Sequence, residues 1–295
     1  MTVIRKQPPA GTLDFRSVAR ALTIVENDLA GANDLLKGLD LSKDVPIIGV
    51  TGPPGAGKST LVNNILGELI ARDNKVAVLA IDPTSPFNFG SLLGDRIRMS
   101  AFFNHPDVFI RSLATRGSLG GLSAKTIEMT DVLRAYGFDY VLIETVGVGQ
   151  SEIEIAGLAD ITLVVLVPEG GDEIQSIKAG LMEIADAFIV NKADREGADI
   201  FANNLKKMVQ QKKTVIPVFK TIASQNNGTG QIIDFITSSA RSRNSRKELL
   251  LTEKAWNLIR QKRMANISKS ELQNGIACAV ESPSFNLYKF IERYI

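Results

Sequence analysis

Ile47-Ile48-Gly49-Val50-Thr51 runs directly into Gly52-Pro53-Pro54-Gly55-Ala56-Gly57-Lys58-Ser59-Thr60. The first five residues are apolar or β-branched, as in a strand buried on both faces. The next nine fit G-x-x-x-x-G-K-[ST], and the stretch from Leu61 to Ile70 carries apolar residues at helical spacing. A strand, a glycine-rich turn and a helix in that order form a phosphate cradle. Gly52, Gly55, Ala56 and Gly57 let the loop turn tightly, so that successive N–H groups point inward. The following helix adds its positive N-terminal end. Lys58 is expected to reach the β- and γ-phosphates of a nucleoside triphosphate. Ser59, followed by Thr60, is expected to place a hydroxyl on Mg²⁺.

Outward from this point, short apolar runs alternate with amphipathic segments. The runs fall at 47–51, 76–81, 108–110, 140–144, 161–167, 187–190 and 215–218. This alternation predicts an α/β fold, a doubly wound and mostly parallel sheet covered by helices. A helical N-terminal extension is expected over 1–44, its apolar spacing clearest at 14–37. The nucleotide-binding domain is expected over 45–240, and a helical C-terminal extension, a possible dimerisation arm, over 241–295. Within the last, 241–263 is strongly basic and compatible with a helix carrying a basic face.

Two strands end in a carboxylate that could hold a metal shell beside the phosphates: 76–81 leads to Asp82, and 140–143 leads to Glu144. Glu144-Thr145-Val146-Gly147 resembles D-x-x-G, in which the Gly147 N–H would touch the γ-phosphate. Asp95 is a further loop acid. Asn191-Lys192-Ala193-Asp194 follows the run at 187–190. A carboxylate at Asp194 would accept hydrogen bonds from the ring N–H and the amino group of guanine. Adenine offers neither, so a buried charge would be left unpaired with ATP. Asn191 would support the loop, and the Lys192 stem would lie across the base. Ile222 and Ala223, in the loop Thr221-Ile222-Ala223-Ser224, are placed to close over it. The expected ligands are therefore GTP and GDP with Mg²⁺.

The chain has 295 residues, with 34 Lys plus Arg against 32 Asp plus Glu, for a net charge of +2. That balance alone neither suggests nor excludes a nucleic-acid or membrane partner. No apolar run reaches the roughly 18 residues of a membrane span, and the N-terminus does not read as a signal peptide. We expect a cytoplasmic protein with no nucleic-acid and no membrane partner. His105 is the single histidine and Cys278 the single cysteine. That composition argues against a GTPase that delivers nickel, which would need metal-binding histidines or cysteines.

Taken together, GPPGAGKSTL (52–61), IDPTSP (81–86), GSLLGDRIRM (90–99), FIRSLATRGSLGG (109–121), ETVGVGQSEIEIA (144–156), GGDEIQSIKAG (170–180) and NKAD (191–194) resemble the ArgK/MeaB family of P-loop GTPases. Members of that family are chaperones of adenosylcobalamin-dependent methylmalonyl-CoA mutase. The resemblance spans about residues 15–235. It implies that Lys58, Ser59 and Thr60 bind phosphate and Mg²⁺, and that Asp82, Asp95 and Glu144 lie near the metal. It implies that Gly147 senses the γ-phosphate and that Asn191, Lys192 and Asp194 read guanine. It also implies a loop over 168–178 that couples nucleotide state to the mutase, and a homodimer. The sequence departs from the family at Asn88-Phe89, at Glu169 and at the polar Gln225-Asn226-Asn227-Gly228. From about Ser270 it also departs from the helical arm expected there.

Catalysis at such a site rests on positioning and charge stabilisation. Lys58 and Glu144 are the expected catalytic groups, with Gln150 as the residue to orient water. Arg96, Arg98, Arg111 and Arg116 are candidates for a transition-state arginine, each with a structural role as the alternative. Slow intrinsic hydrolysis, accelerated by a partner, is the expectation. The alternatives are a transport-linked ATPase or kinase, from another class, and a GTPase metallochaperone for another client.

Overall fold

The computed structural model describes residues 13–82, 99–114, 124–145, 155–168, 180–210, 216–239, 247–282 and 284–294. The chain divides into two compact units, Met1–Leu250 and Leu251–Ile295.

In the first unit, helices α1 (Phe15–Glu26) and α2 (Ala32–Lys37) precede strand β1 (Ile47–Thr51) and helix α3 (Lys58–Ala71). Then come β2 (Val76–Asp82), β3 (Val108–Ala114), α4 (Ala124–Ala135), β4 (Tyr140–Glu144) and β5 (Ile161–Leu166). Helix α5 (Gly180–Ile184), β6 (Ala187–Val190), α6 (Ala198–Gln210), β7 (Val218–Lys220) and α7 (Thr229–Ser239) complete it. The strands form one sheet in the order β3-β2-β4-β1-β5-β6-β7, parallel at every pairing.

Strand β1 lies at the centre, with Ile48 opposite Leu142 on one side and Ile161 on the other. All its residues are buried, which is why its sequence is continuously apolar rather than alternating. Ile48 and Val50 pack on one face against Leu61, Ile65 and Leu69 of α3 and Ile232 and Ile236 of α7. Ile47 belongs to the other face, with Val18 and Leu22 of α1 and Met129 and Val132 of α4. A crevice at the carboxyl ends of β1, β4 and β5 is where a sheet of this winding binds its ligand.

Three local readings are corrected. The helical pattern at 14–37 is two helices: the chain breaks at Asp28, with φ 51°, and Gly31, with φ 91°, backbone angles that end a right-handed helix. Asp14 caps α1, accepting from Arg16 N–H at 3.0 Å and Ser17 Oγ at 2.6 Å. The Ser17 hydrogen bonds hold its carboxyl below the usual aspartate range. The last strand is β7 at Val218–Lys220, not 215–218. Pro217 has no N–H to donate, and only its carbonyl is used, accepting from Phe188 N–H at 2.9 Å. Strand β3 runs four residues past the apolar run at 108–110, paired with β2 along its length. It lies at the sheet edge, where polar Arg111 and Ser112 are tolerated.

Helix α8 (Lys247–Arg263) crosses the boundary at Leu251, and the second unit holds most of it together with α9 (Lys269–Val280) and α10 (Leu287–Ile291). Past Ser270 the described chain is thus largely helical. Asn286 caps α10, accepting from Tyr288 N–H at 2.9 Å and Lys289 N–H at 3.2 Å. Phe285, Phe290 and Tyr294 stack in sequence, with centroids 6.1 and 5.6 Å apart. Trp256 and Tyr288 stand exposed.

Candidate functional site

The loop after β1 is shaped by three glycines with left-handed or more open φ: Gly52 at 140°, Gly55 at 75° and Gly57 at 86°. At Gly52 a side chain would strike the Val165 carbonyl, and at Gly57 the Asn191 amide. Glycine is thus required there by conformation and by space. Helix α3 starts at Lys58, and its N-cap, Gly57, has no side chain with which to cap it.

The Lys58 ammonium is buried and folded back on its own loop, donating to Gly52 O at 2.8 Å and Pro53 O at 2.9 Å. Ser59 Oγ donates to Glu144 Oε1 at 2.5 Å, a short charge-assisted bond joining the start of α3 to the end of β4. Both residues are buried. Behind them Thr145 Oγ1 donates to Thr51 Oγ1 at 2.9 Å, and Thr145 N–H to Val50 O at 3.1 Å. The strand end that carries Glu144 is therefore tied to the root of the glycine loop.

A second cluster surrounds the buried amide of Asn191. Its Nδ2 donates to Ala56 O at 2.8 Å, inside the glycine loop. Its Oδ1 accepts from Thr221 Oγ1 at 3.1 Å and from Ala223 N–H at 3.0 Å. Ala193 N–H donates to Thr221 O at 3.0 Å, joining the loops after β6 and β7. Lys192 has a left-handed φ of 55°, an uncommon conformation held by these neighbours. Asp194 is exposed, its carboxylate open to a ligand. Beyond it, Ile222 and Asn227 exchange N–H···O bonds of 3.0 and 3.2 Å, closing a small loop around the 3-10 turn Ala223–Gln225. The polar Gln225–Gly228 stretch has its reason here. Asn226 has a left-handed φ of 52°, and at Gly228 a side chain would meet the Lys220 carbonyl.

The structure brings together Gly52, Gly55, Ala56, Gly57, Lys58, Ser59, Thr60 and Glu144 at one end, and Asn191, Lys192, Asp194, Ile222 and Ala223 at the other. Asp82 ends β2, two residues past Ala80, which is the register partner of Glu144. Asp95, Gly147, Gln150, Arg96, Arg98 and Arg116 lie outside the described residues. Arg111 takes its structural alternative: its guanidinium pairs with Glu26 of α1 at 2.6 Å. Thr51, Thr145 and Thr221 stand in the quoted stretches without a role of their own, and Asn64 was not singled out. Their signal was faint, polar residues within or at the ends of apolar segments. Among the described residues no group of three or more His, Cys, Asp or Glu could hold a metal ion. None of their helices is long and apolar enough to cross a membrane.

A strand–glycine loop–helix with a folded-back lysine, a Ser–carboxylate pair and a guanine-type loop locked to it defines the class: this is a P-loop GTPase. Residues 18–276 match the family described as methylmalonyl Co-A mutase-associated GTPase MeaB, and the chain belongs to that family. It is 46% identical over 255 residues to a provisionally named GTPase of Pyrococcus abyssi, covering 81% of this chain and 79% of that one. It is 36% identical over 242 residues to a fused isobutyryl-CoA mutase of Geobacillus kaustophilus, covering 75% of this chain and 22% of the fused protein. A crystal structure of a LAO/AO transport system kinase superposes with TM-score 0.66 at 25% identity, over 95% of this chain and 92% of that one.

Proposed function

We propose that this GTPase is a guanine-nucleotide switch that gates cofactor loading, or protects the cofactor, of an adenosylcobalamin-dependent acyl-CoA mutase, with methylmalonyl-CoA mutase the first candidate. The observation that carries the guanine half is the Asn191 amide, bonded at once to Ala56 of the phosphate loop and to Ala223 of the base loop. A base loop locked to the phosphate loop suits one nucleotide length, and the open Asp194 carboxylate supplies the two acceptors guanine needs. The client half is supported by the family description and by the likeness to a fused mutase.

In this reading Lys58 leaves the Gly52 and Pro53 carbonyls for the β- and γ-phosphates. The first turn of α3 supplies N–H donors to the same oxygens. Ser59 and Glu144 are hard oxygen donors of the kind Mg²⁺ takes, with Asp82 and Asp95 as further acids; Mg²⁺ bound there would offset phosphate charge. Glu144, beside Ser59, would help hold that ion's shell. Gly147 and Gln150 keep their sequence-based roles as γ-phosphate contact and water-orienting residue. The C-terminal helices serve as a dimerisation arm. Intrinsic turnover is expected to be slow, because Arg111, one of the candidate arginines, is committed to Glu26.

Titration with GTP, GDP and ATP in the presence of Mg²⁺ tests the nucleotide. Guanine preference supports the reading, and equal or tighter ATP binding overturns it. GTP turnover measured with and without an adenosylcobalamin-dependent mutase, alongside co-purification, tests the client. An unchanged rate and no complex would remove the mutase. The kinase wording of the structural relative favours one other reading, γ-phosphate transfer to an acceptor. Radiolabelled phosphate appearing on anything other than water would bring it forward.

A further inference from the structure

We propose that Asn64 is a positioning residue for the guanine site and sets the rate of nucleotide release. It sits in α3, six residues after Lys58, about 9 Å further along the helix axis. Its Nδ2 donates to Ala223 O at 2.7 Å, a contact between residues 159 positions apart. Ala223 is therefore held at both polar ends. Its N–H is bonded to Asn191 Oδ1 at 3.0 Å and its carbonyl to Asn64. Asn191 is bonded in turn to Ala56 O at 2.8 Å, and Ala56 adjoins the start of α3. The bonds close a ring: glycine loop, Asn191, Ala223, Asn64, α3, and back to the glycine loop.

A closed ring behaves differently from a single tether. With Asn191 alone, Ala223 is tied to the phosphate loop through one hydrogen bond, beside the Ile222–Asn227 pair that closes the base of the turn. With Asn64 on the opposite side the turn is fixed in orientation. The fixing element is the same helix whose first residues, Lys58 and Ser59, face the phosphates. Release of the base requires the turn to open, so the Asn64 bond is broken on the way out. The effect acts on the base end and is blind to the γ-phosphate: GTP and GDP are held more tightly to the same degree. The inference rests on the guanine reading above.

The test is the release rate of a fluorescent GDP analogue from the full chain, with Asn64→Asp as the main variant. That change keeps the shape, removes the donor and sets a carboxylate against the Ala223 carbonyl. Release is expected to be about tenfold faster or more, with GTP and GDP affinities weakened by the same factor. Melting temperature is expected to fall by no more than about 3 °C. Asn64→Ala is the second variant. The site is only part-buried and the Ala223 carbonyl also accepts from Asn226 N–H at 3.2 Å, so the loss of the amide is partly offset; a smaller acceleration in the same direction is expected. Asn64→Gln, which restores an amide donor, is expected to recover part of the slow release. Release within about twofold of wild type in both Asp and Ala variants, whatever the melting temperature, would overturn the proposal and leave Asn64 a packing contact. A wild-type chain that does not prefer guanine nucleotides would instead sink the reading beneath it.

Discussion

The two ends of the nucleotide site are built on opposite principles. At the phosphate end the charged groups are held by partners that a ligand can replace: Lys58 on two loop carbonyls, and Ser59 on Glu144. At the base end the polar groups are held by bonds a ligand has no reason to break: Asn191 to Ala56, Thr221 and Ala223. The phosphate end stores its charges, and the base end fixes a shape. The contrast implies that a substitution at the phosphate end alters binding with little change in stability. One at the heart of the base end alters both.

Asn191→Ala is the largest expected effect, and the most direct way to break the contrast. It strands the Ala56 carbonyl and the Ala223 N–H inside the protein at about 1–3 kcal/mol each. Thermal or denaturant unfolding is expected to show a loss of about 2–5 kcal/mol, and GTP affinity to fall about 100-fold or more. A variant of normal stability would mean that water replaces the amide, and the base end would not be preformed. Lys58→Ala is its counterpart. Calorimetric titration is expected to show GTP binding weakened by about 100-fold, from lost charge-assisted bonds to phosphate. Melting temperature is expected to stay within about 2 °C of wild type, since relief from burying an ammonium offsets the bonds lost at the Gly52 and Pro53 carbonyls. A large loss of stability would show that Lys58 is part of the loop's own architecture.

Asp194→Asn sharpens the base end from its exposed side. The carboxylate carries no framework bond among the described contacts at the site, so stability is expected to hold while guanine preference falls by about 10- to 100-fold. Xanthine carries a carbonyl where guanine carries its amino group, so xanthine nucleotides are expected to gain. Competition titration reads both changes at once. Retained guanine preference would move base recognition to the backbone of Ile222 and Ala223.

The difference in construction also decides what could be read from the chain. Strand β1 and the glycine loop were legible because their constraints are local. A strand buried on both faces must be apolar throughout, and a loop with positive φ at Gly52, Gly55 and Gly57 must spend glycines at those places. The Asn191-Lys192-Ala193-Asp194 loop was legible for the same reason. The bonds that make the base end rigid were not. Asn191 reaches Ala56 across 135 positions and Asn64 reaches Ala223 across 159, and neither leaves a periodicity in the sequence. The strand at 215–218 was misplaced because its apolar residues flank Pro217, and hydrogen-bond supply rather than hydrophobicity sets where β7 begins. The break at Asp28 was hidden because aspartate in a left-handed conformation looks like any other polar residue on a helix face.

The smallest expected effect lies where the N-terminal helices meet the domain, and it measures the contrast against an ordinary surface contact. Lys125 of α4 pairs with Glu128 at 2.9 Å and with Asp28, in the break after α1, at 3.2 Å. Burial pulls its ammonium down, but hydrogen bonds and charge from Glu128 and Asp28 outweigh burial and leave it raised above the usual lysine range. A raised folded-state value means the stabilisation is present in full below the unfolded lysine value of about 10.4, and is lost as pH climbs through the folded one. Lys125→Met is therefore expected to cost about 0.5–1 kcal/mol near neutrality, since Asp28 is largely solvent-exposed and water screens its pairing with Lys125. The gap from wild type should close as pH rises past about 10.4, because the wild type then loses the same contribution. Paired unfolding curves at neutral and alkaline pH would show it. A gap that persisted at high pH would assign the cost to lost side-chain packing, making this contact, like the base end, a matter of shape rather than charge.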